Sequence, residues 1–143
     1  MKTLFICSYL FLLSPLAPAE TDQSWKKHVS AVEQAKPNPY ASQPDAVAAG
    51  GRLFSNYCAQ CHGADALGRG KRPSLRTPDV QDATDGEIFW ILKNGFRYRG
   101  MPSWSVLPEA SRWQLVTYVK SLGVSHEDQP AKDTAQEKAG SPK

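Results

Sequence analysis

The chain has 143 residues, 17 Lys+Arg against 14 Asp+Glu, and 41% of it is hydrophobic. That length accommodates one small domain with polar appendages and excludes a multidomain enzyme. The near balance of charge excludes a nucleic-acid coat, and the excess is too small for a wholly disordered chain.

In chain order, residues 1–19 read as an export signal. Met1 and Lys2 give a basic start, an apolar run extends from Leu4 to Leu16, and Ala17-Pro18-Ala19 presents a small-residue cleavage site before Glu20. A retained membrane anchor is the alternative reading. The stretch from Leu4 to Ala19 is only sixteen residues long, however, and broken by Ser8, Ser14, Pro15 and Pro18, whereas a spanning helix needs roughly 20 apolar residues. The processed chain is therefore not expected to span a membrane. Cys7 lies inside the run, which argues against a lipid on that cysteine.

Residues 20–44 have the composition of a linker, with Pro37, Pro39 and Pro44 ending any regular element. Trp25, Val29 and Val32 recur at helical spacing and could form a short helix there, resting on the domain surface or fraying as a linker, with a partner-binding helix as the alternative. The folded unit is expected over 45–123. Its first helix starts at Asp45 as N-cap and aligns Val47, Gly50, Phe54 and Tyr57. A second opens on the capping-box sequence Thr84-Asp85-Gly86-Glu87 and stops at Asn94-Gly95. A third begins at Pro108-Glu109, carries Trp113, Leu115, Val116, Tyr118, Val119 and Leu122, and ends at Gly123. No convincing alternating strand pattern occurs, so the fold class is all-α: three main helices with long loops. Residues 124–143 lack periodicity and are expected to form a disordered polar tail. A unit this small buries little apolar surface without a disulfide, metal or cofactor.

The cofactor signal is Cys58-Ala59-Gln60-Cys61-His62. Two thiols three positions apart can each add to a vinyl group of haem, leaving the following imidazole to face the iron. Two other readings use the same thiols. A structural zinc site needs four ligands, and the other histidines, His28 and His126, lie in the flanks. A dithiol redox motif belongs in a βαβ unit, which this sequence does not offer. One covalently attached haem c with its iron is the cofactor these residues favour.

His62 fills one axial position, and the other decides between electron transfer and ligand chemistry. Beyond the signal the chain holds a single methionine, Met101, in Gly100-Met101-Pro102-Ser103-Trp104. A lone Met is ordinarily core filler. Its place between Gly and Pro in a loop makes it the candidate distal ligand.

These residues together resemble a small bacterial class I cytochrome c, over roughly 45–123. Gly50 and Phe54 are similar to that family's glycine and aromatic on the N-terminal helix, and Leu115 and Tyr118 to the pair on the C-terminal helix that crosses it. Pro73-Ser74-Leu75 resembles the segment whose proline carbonyl accepts from the haem histidine, which implies that Pro73 orients His62. The resemblance implies a mono-haem carrier of single electrons, not an enzyme, with the helices packed around the haem. Leu53, Phe54, Leu75, Phe89, Trp90, Leu92 and Trp104 are candidates for haem packing and equally for ordinary core. Arg69, Lys71, Arg72 and Arg76, with Arg97 and Arg99, make a basic cluster. Arg97, Tyr98 or Arg99 is a candidate propionate contact, and a basic rim suits an acidic redox partner. The expectation is a periplasmic carrier between a dehydrogenase or reductase and an oxidase. The alternatives are a dedicated cytochrome subunit of a larger complex, such as a quinoprotein dehydrogenase, and a ligand-binding haem protein should Met101 not reach the iron.

Overall fold

The computed structural model describes residues 24–123. The expected export signal with Cys7, and the expected tail with His126, lie outside the described residues. Among the described residues six α-helices follow one another: α1 (Ala31–Gln34), α2 (Pro44–Tyr57), α3 (Ala59–His62), α4 (Pro78–Gln81), α5 (Asp85–Asn94) and α6 (Glu109–Ser121). Two 3-10 turns lie at Ser24–His28 and Arg97–Arg99. Extended pairing among the described residues is limited to two isolated bridges, Arg69 with Arg72 and Phe96 with Met101. No helix among these residues is long and apolar enough to cross a membrane.

Three helices carry the core. α2 begins at Pro44, with Gln43 as its extended N-cap, so Asp45 lies in the first turn and not at the cap expected for it. The pyrrolidine ring presets the helical φ and needs no N–H there, while the Asp45 carboxylate favours the positive end of the helix. α5 opens on a reciprocal capping box: Glu87 N–H donates to Thr84 Oγ1 at 3.1 Å, and Thr84 N–H donates to Glu87 Oε2 at 2.8 Å. α6 follows Pro108 as N-cap.

α2 and α6 cross at Gly50. A β-carbon there would stand 2.7 Å from Tyr118 Cβ and 2.8 Å from the Gln114 carbonyl carbon, so only glycine permits this approach. Phe54, Leu115 and Val116 are the largest fully buried side chains. Phe54 tilts against Tyr118 at 5.2 Å between ring centroids. Phe89 of α5 stacks on Trp113 of α6 at 4.0 Å, a geometry that adds to plain area burial.

The segment ahead of α2 is seated on the domain. Val29 is 6% exposed whereas Val32 is 76% exposed, so the periodic trio becomes a 3-10 turn and α1 in place of one amphipathic helix. Backbone contact explains the difference. Thr84 Oγ1 donates to the Gln34 carbonyl at 2.9 Å, and a β-carbon at Gly86 would meet that same carbonyl oxygen at 2.8 Å. Asn38 Nδ2 then donates to Asp85 Oδ2 at 2.9 Å and to Thr117 Oγ1 at 3.0 Å, tying the segment to α5 and α6.

Candidate haem site

Cys58 serves as C-cap of α2 and N-cap of α3, so the motif lies on a single continuous bend between two helices. His62 N–H donates to the Cys58 carbonyl at 2.9 Å and Cys61 N–H to the same oxygen at 3.1 Å, which sets both thiols and the imidazole on one turn. Cys61 is exposed and Cys58 half-buried. Burial, with a smaller push from the neighbouring Cys61, raises the Cys58 thiol from its ordinary 9.0 to about 11.

After α3 the chain turns back on itself at Gly63, where φ is +81°. Gly68 N–H donates to the His62 carbonyl at 2.7 Å, and Leu75 N–H to the Ala66 carbonyl at 2.8 Å. This loop brings the Pro73 carbonyl within 2.9 Å of His62 Nδ1. A carbonyl only accepts, so Nδ1 carries the proton, and in the neutral ring the lone pair is on Nε2. Gly68 is essential to the fit. Its φ is +88°, and a β-carbon there would stand 2.5 Å from the Arg72 carbonyl oxygen and 2.9 Å from the Pro73 carbonyl carbon. Sequence reasoning passed over Gly68, for which the only signal is the closely spaced pair Gly68 and Gly70.

Met101 is presented by a separate loop. Phe96 and Met101 exchange backbone hydrogen bonds of 2.9 and 3.1 Å, and Trp104 N–H donates to the Leu92 carbonyl at the end of α5 at 2.8 Å. Buried Arg112 of α6 secures the far end through the carbonyls of Leu107 and, at 3.1 Å, Ser105. Trp104 reaches the haem-motif end of α2, its ring 5.5 Å from that of Tyr57. Cys58, Ala59, Leu53, Leu75, Met101 and Trp104 are half-buried and pack on one core. Phe54, Phe89 and Leu92 belong to that core itself, and Trp90 is half-buried.

The basic cluster divides by contact. Arg76 donates to the carbonyls of Asp65 at 2.8 Å and Leu122 at 3.1 Å, and Arg72 to that of Arg99 at 2.6 Å. Arg69 reaches the Gln60 carbonyl only at 3.4 Å. Lys71, Arg97 and Arg99 are exposed, and Tyr98 is 96% exposed beside the Met101 loop.

The donor set fits a c-type haem. Two thiols sit at the required spacing on one turn, an imidazole has its Nδ1 occupied and its Nε2 open, and a thioether lies on a second loop against the same apolar surface. A zinc site fits less well: among the described residues no three His, Cys, Asp or Glu side chains gather in a metal-holding cluster.

Comparison with known proteins points the same way. A family model described as cytochrome c oxidase, cbb3-type, subunit III matches residues 45–119. The cbb3-type cytochrome c oxidase subunit CcoP of Rubrivivax gelatinosus is 39% identical over 93 residues, covering 62% of this chain and 30% of that protein. The quinohemoprotein alcohol dehydrogenase ADH IIB of Pseudomonas putida is 34% identical over 102 residues, 69% of this chain and 14% of that protein. The chain thus spans less than a third of the length of either relative. Among solved structures, cytochrome cL of Methylophaga aminisulfidivorans has the same fold at a TM-score of 0.53 and 24% identity, covering 74% of this chain and 72% of that one. The chain belongs to the cbb3-type subunit III family of cytochrome c domains, whose cofactor is covalently bound haem c and whose work is electron transfer.

Proposed function

We propose that this chain is an exported, periplasmic mono-haem cytochrome that passes single electrons between a donor dehydrogenase or reductase and an oxidase. In this reading residues 1–19 are removed, Cys58 and Cys61 would hold the haem through thioethers, and His62 and Met101 would ligate its iron. When bound, the haem supplies an iron that changes charge by one electron, at a potential raised by the methionine.

The observation that carries the reading is the hydrogen bond from His62 Nδ1 to the Pro73 carbonyl. It fixes the ring's tautomer and orientation and raises its basicity as a ligand. Gly95 and Gly100, both with positive φ, let the loop turn sharply on each side of Phe96–Arg99 and deliver Met101. Lys71, Arg97 and Arg99 offer a basic rim for an acidic partner, and Arg97, Tyr98 or Arg99 is the candidate contact for a haem propionate.

A dedicated-subunit reading is favoured by the relatives themselves, one an oxidase subunit and the other a quinohemoprotein dehydrogenase. In that case the segment Trp25–Ala35, or the tail at 124–143, is the candidate dock. Expression in a host that attaches haem in the periplasm tests the main reading. The product is expected there, shortened at Ala19, with one haem on both cysteines, and its rate with an acidic acceptor should fall as salt rises. A haem-free product retained in the cytoplasm contradicts it, and stable co-purification with a larger enzyme selects the subunit reading.

A further inference from the structure

The loop that supports His62 and the loop that presents Met101 are joined by one side chain. Arg72 Nη1 donates to the Arg99 carbonyl at 2.6 Å, across 27 positions of sequence. The guanidinium also closes on Gly100: a β-carbon on Gly100 would stand 2.6 Å from Nη1, 3.2 Å from Nη2 and 3.3 Å from Cζ. Arg99 and Gly100 immediately precede Met101. On the other side, the residue after Arg72 is Pro73, whose carbonyl holds His62. Two consecutive residues therefore touch the supports of both proposed axial ligands.

Arg72 is itself held firmly. It exchanges backbone hydrogen bonds with Arg69 of 2.9 and 3.2 Å around a turn that includes Gly70 at φ +56°. Its carbonyl oxygen faces Gly68, whose N–H is bonded to the His62 carbonyl. The base of the side chain is thus fixed to the haem motif and its tip to the methionine loop. A hydrogen bond from a charged donor is among the stronger ones available, and the rigid guanidinium fork fills the space beside Gly100 as a flexible lysine ammonium does not.

We infer that Arg72 is a positioning residue, a latch that holds the Met101 loop closed against the iron by anchoring it to the His62 side of the site. The inference rests on the assignment of Met101 as distal ligand. Without the latch the loop opens more often, although both ligands are still present. Part of the basic cluster is then internal structure.

The test uses the exported, haem-loaded protein and the rate at which free imidazole binds the ferric form, at concentrations where loop opening limits that rate. Arg72→Gln is expected to raise the limiting rate about tenfold, equivalent to about 1.4 kcal/mol, the lower end for a hydrogen bond to a charged group. Arg69→Gln removes the same charge nearby but not the latch, and should leave the rate within about twofold of wild type. Arg72→Lys keeps charge and one donor and should fall between; it carries the test if Arg72→Gln does not accumulate. The thioether-to-ferric-iron absorption band in each variant, at a temperature far below Tm, separates loop opening from general loss of stability. An Arg72→Gln rate within twofold of wild type overturns the latch, as does an equal increase in Arg69→Gln. A wild-type protein without the thioether band refutes the Met101 assignment and the latch with it, a result distinct from both.

Discussion

Gly50→Ala and Gly51→Ala differ by one position on α2 and are expected to have opposite consequences. At Gly50 the new β-carbon would meet Tyr118 Cβ at 2.7 Å and the backbone carbonyl of Gln114, neither of which is the free end of a flexible side chain. Overpacking of this kind costs about 1–3 kcal/mol, and rigid neighbours place it at about 3. Replacing a helical glycine by alanine returns about 1 kcal/mol, leaving a net loss of about 2 kcal/mol. For a domain of this size each 1 kcal/mol moves Tm by about 4–8 °C, so Gly50→Ala should melt about 8–16 °C below wild type. At Gly51 the β-carbon would stand 3.2 Å from Tyr118 Cε2 and 3.4 Å from Cδ2, the edge of a half-buried ring. A small ring shift relieves that, and the propensity gain of about 1 kcal/mol leaves Tm unchanged or a few degrees higher. Thermal unfolding of the haem-loaded protein, followed by far-ultraviolet circular dichroism, measures both. A Gly50→Ala Tm within about 3 °C of wild type, or an equal fall in Gly51→Ala, would refute the close crossing of α2 and α6.

Three further expectations concern the site. Gly68→Ala forces a β-carbon against the backbone of residues 72–74 at a φ of +88°; it should push the Pro73 carbonyl off His62 Nδ1, reduce the ring's basicity and raise the reduction potential. A lowered Tm at unchanged potential would show that Pro73 does not tune the iron. In the thiol form, before haem attachment, burial keeps Cys58 protonated up to about 11 while Cys61 is exposed. At pH 8 iodoacetamide should therefore modify Cys61 first, with the Cys58 rate rising about tenfold per pH unit until that value; equal rates would mean that α2 and α3 form only once haem is attached. Finally, the proposed propionate contacts predict that Arg97→Gln or Arg99→Gln lowers the reduction potential through the loss of a positive charge, and voltammetry showing no change in either variant removes those contacts.

The elements legible in the sequence are those whose information is local. The Thr84 to Glu87 capping box and the Pro108 entry into α6 lie within a few residues of the boundaries they set, and both occur in the structure. The start of α2 moved from Asp45 to Pro44 because two adjacent residues both suit a helix N-terminus, and the ring of proline decides it. Long-range contacts leave no such mark. Val32 has the spacing of a buried position, but the carbonyls of α1 meet α5 at Gly86, which turns Val32 outward. The haem-motif residues are legible because attachment chemistry demands a fixed spacing. Arg72 reads from sequence as one more exposed cation, since nothing in spacing or periodicity joins it to Arg99.

The central claim is a haem held between His62 and Met101, and the most direct measurement is the optical spectrum of the exported protein and of Met101→Ala. The account predicts a low-spin wild type with the weak thioether-to-ferric-iron band, inert to carbon monoxide when reduced, and a variant that loses the band and binds carbon monoxide readily. A wild type that is already high-spin, or that binds carbon monoxide as fast as the variant, would contradict it.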